Sequence, residues 1–195
     1  MTKRVRKFIA GLALAFGVAA GPGAQALALE KPPLPENAPQ SISMAFQKAA
    51  CLDGRVSKIL VDKSDRRMEL LDNKGDVLRA YDIALGTSPA GDKVMQGDNK
   101  TPEGDYVISA HNPNSAFTLS LRISYPNAQD CAAARKLGVN PGGDIFIHGA
   151  PTGYPDDWKP MRVKDWTEGC IALKSADIRE IYSAVKNGTP ITIRP

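Results

Sequence analysis

Asp165-Trp166-Thr167-Glu168-Gly169-Cys170-Ile171-Ala172-Leu173, read together with Ile145-Phe146-Ile147-His148-Gly149, decides how this chain is understood. A thiol attacks a carbonyl carbon as its thiolate, a form that free cysteine populates only to a few per cent at neutral pH, so a neighbouring imidazole is a large help. His148 is the candidate base: it ends an apolar run that reads as a buried strand, with Gly149 directly after it. Gly169 lets the backbone turn tightly before Cys170 and brings amide N–H groups close to a reacting carbonyl, as an oxyanion site requires. In isolation the same residues describe a small buried thiol opening a strand, because free cysteine is among the most buried residue types. The rest of the chain separates the two readings.

His148-Gly149 followed by Thr167-x-Gly169-Cys170 resembles the His-Gly and Ser/Thr-x-Gly-Cys signature of the L,D-transpeptidase (YkuD-type) catalytic domain family. The Asp-Trp-Thr-x-Gly-Cys-Ile-Ala form, 22 positions after the histidine at its cysteine, is similar to the YafK-like branch of that family. Gly86-Thr87-Ser88-Pro89, Gly97-Asp98, Thr101 to Tyr106, Ser120 to Pro126 and Pro141-Gly142-Gly143 fall in the order of that branch, so the resemblance runs from Val56 to Pro195. It implies a mostly β fold with minor α, a β-sandwich of mixed sheets with one or two flanking helices. It also implies Cys170 as nucleophile and His148 as base, with Gly169, Thr167 and Gly149 shaping the site. Arg122 and Tyr125 are substrate-binding candidates, because the resemblance places Ser120 to Pro126 near the cleft. No metal or organic cofactor is implied.

One departure concerns the substrate. Many members of the wider family have arginine two positions after the cysteine, thought to help hold the donor peptide, whereas this chain has Ala172. Arg122 is the candidate replacement, against the plainer expectation that an arginine on a half-exposed strand faces solvent.

The resemblance implies thiolate attack on a peptide carbonyl next to an L-configured centre, that of diaminopimelate in a peptidoglycan stem peptide, with formation of a thioester. An amine acceptor then gives 3-3 cross-links or attaches a protein. Water gives an L,D-carboxypeptidase or an amidase, and the branch includes an enzyme that detaches a lipoprotein from the wall, so a wall-anchored lipoprotein is a candidate partner. Two other classes stand beside the enzyme. A catalytically silent peptidoglycan-binding module would bind without turnover. A thiol redox protein would need a resolving cysteine beside Cys170, and neither Cys51 nor Cys131 is near it in sequence.

Residues 1–28 read as a secretory signal peptide, with a basic start (Lys3, Arg4, Arg6, Lys7), an apolar run from Phe8 to Ala20 and small-x-small cleavage sites ending at Ala26 or Ala28. The predicted location is therefore the periplasm, with no membrane span after cleavage, since the apolar run is short for a bilayer. Four of the 25 basic residues and none of the 21 acidic ones precede Leu29, so the remainder is balanced in charge. That leaves no electrostatic support for a nucleic-acid partner. In an exported chain Cys51 and Cys131 are a candidate disulfide, leaving Cys170 as the odd thiol.

Residues 29–54 read as a proline-rich spacer with a short helix over Ser41 to Ala50, and 55–195 as one catalytic domain of ordinary core size. Alternating or continuous apolar runs predict strands at Val56 to Val61, Met68 to Leu71, Val77 to Leu85, Tyr106 to Ala110, Phe117 to Ser124 and Ile191 to Ile193. Helices are predicted at Asn127 to Leu137, stopping near Gly138, and at Ser175 to Lys186, with Ser175 as its N-cap. Thr87 to Thr101 reads as a mobile connection, Pro151 to Lys164 as an aromatic-bearing wall of the cleft, and His111 as a loop residue. Cysteines and histidines lack zinc-ligand spacing.

Overall fold

A computed structural model describes residues 52–155, 158 and 165–195, all within the unit Pro35–Pro195. The signal segment, residues 29–51 of the proline-rich spacer, the predicted Ser41 to Ala50 helix and Cys51 lie outside the described residues.

Eight strands form one mixed sheet in the order β3-β2-β1-β8-β4-β5-β6-β7. The first three are a meander: β1 (Lys58–Asp62), β2 (Arg67–Leu71) and β3 (Val77–Asp82) pair antiparallel, with Val61 opposite Met68 and Met68 opposite Tyr81. The β2–β3 connection turns on Asp72, whose Oδ1 accepts the N–H groups of Lys74 and Asp76, and on Gly75 at φ 89°. Alternation then selects the core face, burying Ile59 and Val61 on β1 and Met68 and Leu70 on β2. Each such side chain contributes roughly 1.5–3 kcal/mol on leaving water.

The closing strand β8 (Pro190–Arg194) inserts between β1, to which it is parallel, and β4 (Gly104–Asn112), to which it is antiparallel. β4 carries the change of direction. Its first half pairs with β8, a register shift follows between Ile108 and Ala110, and its second half pairs with β5 (Ser120–Ile123). β6 (Phe146–His148) then pairs antiparallel with β5, and β7 (Ile171–Ala172) pairs parallel with β6. Ala84, just past β3, exchanges backbone hydrogen bonds of 2.9 and 2.8 Å with Ala172. The sheet thus curls until its two ends meet, so the expected sandwich is one curled mixed sheet whose halves share β4.

Two helices flank it. In α1 (Ala128–Leu137) the Asn127 side chain accepts the N–H groups of Gln129 and Asp130, the Asp130 carboxylate returns to Asn127 N at 2.7 Å, and Gly138 at φ 68° closes the C-terminus. α2 (Ser175–Ala184) buries Ile178, Ile181 and Ala184. Its N-cap is Lys174, without a side-chain bond, and not Ser175 as predicted, because the Ser175 hydroxyl is spent 3.0 Å from Thr118 Oγ1.

Three further expectations change. Phe117 to Leu119 precede β5 as irregular chain, with Thr118 at φ 64° and its hydroxyl on the Ala150 carbonyl. His111 lies on β4 opposite Leu121, its ring nitrogens 2.7 Å from Asn187 Oδ1 and 3.0 Å from the Val185 carbonyl, so it ties the strand to the end of α2. Thr87 to Thr101 is built around buried charge instead of being a loose connection. Asp98 accepts from Lys93 Nζ at 2.8 Å and from the N–H groups of Val94, Met95 and Lys100.

Burial alone would raise the Asp98 pKa, but the Lys93 ammonium and the three amides outweigh it and hold the carboxyl at about 2. A depressed carboxylate contributes stability above its unfolded pKa and loses it as pH falls through the folded value. The melting temperature is therefore expected to fall as pH drops from about 4 to about 2, and Asp98→Asn to flatten that part of the profile.

Candidate active site

The turn before Cys170 is set by Thr167. Its Oγ1 donates to the Cys170 carbonyl at 2.7 Å and accepts the Gly169 N–H at 3.2 Å. Leu85 O receives the N–H groups of both Trp166 and Thr167 at 3.1 Å, and Thr87 N donates to Thr167 O at 2.9 Å, which seats the turn against the chain beyond β3. Gly169 sits at φ 131°, and a Cβ there would lie 2.6 Å from the Lys100 carbonyl oxygen. Only glycine fits.

Parallel pairing of β6 and β7 places Ile147 opposite Ile171 and His148 opposite Ala172. Cys170 directly precedes β7, so it reaches the cleft that His148 lines from the neighbouring strand β6. His148 is only 4 % exposed, and its Nδ1 is 2.8 Å from the Gly149 carbonyl oxygen. Nδ1 therefore carries the proton and Nε2 is left as the acceptor. Phe117 at 4.6 Å and Trp166 at 5.6 Å, ring centroid to centroid, hold the imidazole in place. Gly149 is needed beside it, since a Cβ there would meet Ile178 Cγ2 at 2.8 Å.

Cys170 Sγ accepts the Phe146 N–H at 3.4 Å and points its own proton toward the Asp144 carbonyl at 3.8 Å. Burial pushes the thiol above its ordinary value, with the Glu168 and Asp144 carboxylates adding to the rise and the Phe146 N–H and Lys93 opposing it. Burial pushes the His148 imidazole down, opposed only by the bond to Gly149. At rest near neutral pH the two groups are an uncharged thiol and an uncharged imidazole.

They line one cleft of about 600 Å³, walled by Phe117, Phe146 and Trp166. A second cleft of about 620 Å³, lined by the amide side chains of Gln96, Asn99 and Asn140 and the backbone of Gly142 and Gly143, also ends on Cys170. Of the loop from Pro151 to Lys164, residues 156–157 and 159–164 lie outside the described residues. Within the rest, Trp158 packs on Trp166 at 5.1 Å and on Tyr154 at 5.2 Å.

The structure brings together Cys170, His148, Gly169, Thr167 and Gly149; of the two substrate-binding candidates, Tyr125 lies in the core and Arg122 beside the cleft. Tyr125 is 2 % exposed, its ring edge-on to Tyr106 and its hydroxyl donating to Pro141 O at 2.8 Å. It holds the loop carrying Asn140, Gly142 and Gly143, and lines neither cleft, because the chain past the end of β5 turns the ring into the core. Arg122 is exposed on β5, with Nη2 3.1 Å from Asp144 Oδ1, so it reaches the cleft only through Asp144. Ala172 is fully buried and bonded to Ala84. Cys131 is a free thiol on α1, and its proposed partner Cys51 lies outside the described residues. Phe117 and Asp144 were not singled out in the sequence. Only the position of Asp144 directly after Gly142-Gly143 and before the β6 run hinted at a role.

A curled mixed sheet that carries His-Gly at the end of one strand and Thr-x-Gly-Cys at the start of its parallel neighbour is an L,D-transpeptidase catalytic domain. The chain belongs to that family, YkuD, which matches residues 57–193. It is similar to YafK of Escherichia coli, 28% identical over 132 residues that cover 65% of this chain and 46% of that protein, so the chain spans about half the length of this relative. Among solved structures it resembles the helical cell shape determining protein Pgp2 of Campylobacter jejuni, with a TM-score of 0.55 at 23% identity over 77% of this chain and 55% of that one. It also resembles Bd1075 of Bdellovibrio bacteriovorus, with a TM-score of 0.51 at 25% identity over 72% of this chain and 48% of that one.

Proposed function

We propose that this chain is an exported, cysteine-dependent peptidoglycan L,D-transpeptidase that works on stem peptides through a Cys170 thioester. The observation that carries the reading is the Cys170 thiol in one cleft with an imidazole whose Nδ1 is committed to Gly149 and whose Nε2 is left to accept a proton. Nε2 of His148 takes the thiol proton as Sγ bonds to the carbonyl carbon at the L-centre of diaminopimelate. Thr167 occupies the Gly169 N–H, so the Cys170 N–H is the donor of that pair left for the oxyanion. Collapse of the tetrahedral species breaks the peptide bond, and the leaving amine takes the proton from the imidazolium. An acceptor amine then loses a proton to His148, attacks the thioester and expels the thiolate, which gives a cross-link or an attached protein.

Two clefts ending on one sulfur support transfer between two peptides over hydrolysis, since each peptide has its own approach. The hydrolytic reading, an L,D-carboxypeptidase or an amidase releasing a wall-linked protein, is favoured by one fact. Ala172 leaves no cation two positions beyond the nucleophile, and Arg122 is paired with Asp144. The signal-like start of the sequence supports work in the periplasm on the cell wall, and the likeness to Pgp2 supports a part in cell shape.

The test is intact mass of the protein after incubation with a diaminopimelate-containing disaccharide tetrapeptide, alone and with a second muropeptide, for wild type and Cys170→Ala. A dimer product and an adduct absent from the variant are expected. Tripeptide release without dimer moves the reading to a hydrolase. Binding without adduct or product leaves a wall-binding module.

A further inference from the structure

The geometry points to the β1–β2 turn, residues 63–66, as a positioning element for Cys170, acting through Lys63 on one flank of the sulfur and Arg66 on the other. Neither residue lines either cleft. The inference deepens the proposed function and rests on it where it speaks of turnover.

Lys63 is 3 % exposed, and its ammonium donates to Gly91 O at 2.7 Å, Thr101 O at 2.9 Å and Glu103 Oε1 at 2.7 Å. All three of its donors are used. The acceptors stand at the two ends of one segment, so a single buried cation draws together the chain that carries Lys93, Gln96 and Asn99 past the second cleft. That segment touches the thiol turn itself. The Lys100 carbonyl oxygen lies 2.6 Å from where a Cβ on Gly169 would be, and the Asn99 carbonyl takes the Ser88 N–H at 3.1 Å while closing on Gly86, where a Cβ would be 2.1 Å away.

Arg66 works on the opposite flank. Its Nη2 is 2.8 Å and its Nε 3.2 Å from Asp165 Oδ2, and Asp165 Oδ1 accepts the Leu85 N–H at 2.9 Å. Leu85 in turn seats Trp166 and Thr167, the first ring against His148 and the hydroxyl that shapes the turn. Arg66 is held for this by φ 51°, by its Nη1 on the Lys63 carbonyl, and by its own carbonyl on Ile83 N at 2.9 Å. A fork of two nitrogens on one carboxylate fixes orientation as well as distance, which lysine cannot reproduce. The two cations of one turn thus set the separation of the walls between which sulfur and imidazole meet.

Two readouts are taken on the full chain, at a temperature where circular dichroism shows each variant folded. The first is the pH profile of Cys170 alkylation by iodoacetamide. The second is thioester formation with the stem tetrapeptide. Arg66→Ala is expected to lower alkylation near pH 7 and thioester formation by about 10- to 100-fold with KM within threefold, because a misplaced base costs rate and not binding. Arg66→Lys should recover part of the loss, and Arg66→Ala with Asp165→Asn should lose no more than either alone, as members of one chain of contacts do. Lys63→Met should lower both readouts as well. A melting temperature that falls with an unchanged alkylation profile and unchanged kcat overturns the inference, as does additive loss in the double variant. If wild type forms no thioester, the proposed function fails, while the alkylation profiles still decide the positioning role.

Discussion

His148→Ala is expected to lower thioester formation near pH 7 by about 10²- to 10⁴-fold and to change the shape of the pH dependence. In the wild-type site burial holds the imidazole below its ordinary 6.5, so the base form persists through neutral pH and the rate falls only on the acid side of 6.5. The thiol lies above its ordinary 9.0, so thiolate without a base is scarce at neutral pH. With His148 removed, only that thiolate reacts. The rate should then climb about tenfold per pH unit through neutral pH and still be rising at 9 instead of levelling off, since well below its pKa each unit deprotonates tenfold more thiol. Single-turnover acylation measured from pH 5 to 10 checks this. A variant that keeps a level profile would show that another group takes the proton.

Gly169→Ala has the second largest expected effect, here on stability and reactivity together. The position combines φ 131° with a Cβ 2.6 Å from Lys100 O and 3.3 Å from Ile145 Cδ1, so the methyl meets backbone that cannot step aside. Strain and overlap should cost about 2–4 kcal/mol in urea unfolding. The displaced turn would also carry Cys170 away from Phe146 N and the imidazole, lowering its alkylation rate. Gly75→Ala is the control. At φ 89° it has nothing within 4 Å of the added Cβ, so it carries only the conformational cost, about 1–2 kcal/mol. Equal losses at the two glycines would remove the argument that close approach, and not backbone strain alone, requires Gly169.

The β-rich character, both helices and the family were legible because each leaves a local mark. Alternating burial along β1 and β2, Asn127 and Gly138 bounding α1, and the His-Gly and Thr-x-Gly-Cys pairs are patterns within a few residues of one another. The Ser175 cap and the strand start at Phe117 were misplaced because both depend on Thr118, whose hydroxyl reaches Ser175 and Ala150 from a distant part of the sequence. The 87–101 segment looked loose for a related reason. Its glycines and charges are those of a surface connection, and only the folded chain puts Lys93 on Asp98 and Lys63 on both of its ends.

By itself, then, the sequence determined the family and which stretches alternate, since residue type and short-range spacing are enough for both. Tertiary structure alone decided how those pieces meet. It curled the sheet until Ala84 bonds Ala172, turned Tyr125 into the core, and set Arg122 on Asp144. It also brought two cations of a distant turn to bear on the walls of the site. The physical reason is that burial, pairing of charge and satisfaction of backbone groups are settled by neighbours in space, and these neighbours lie up to 132 positions apart along the chain.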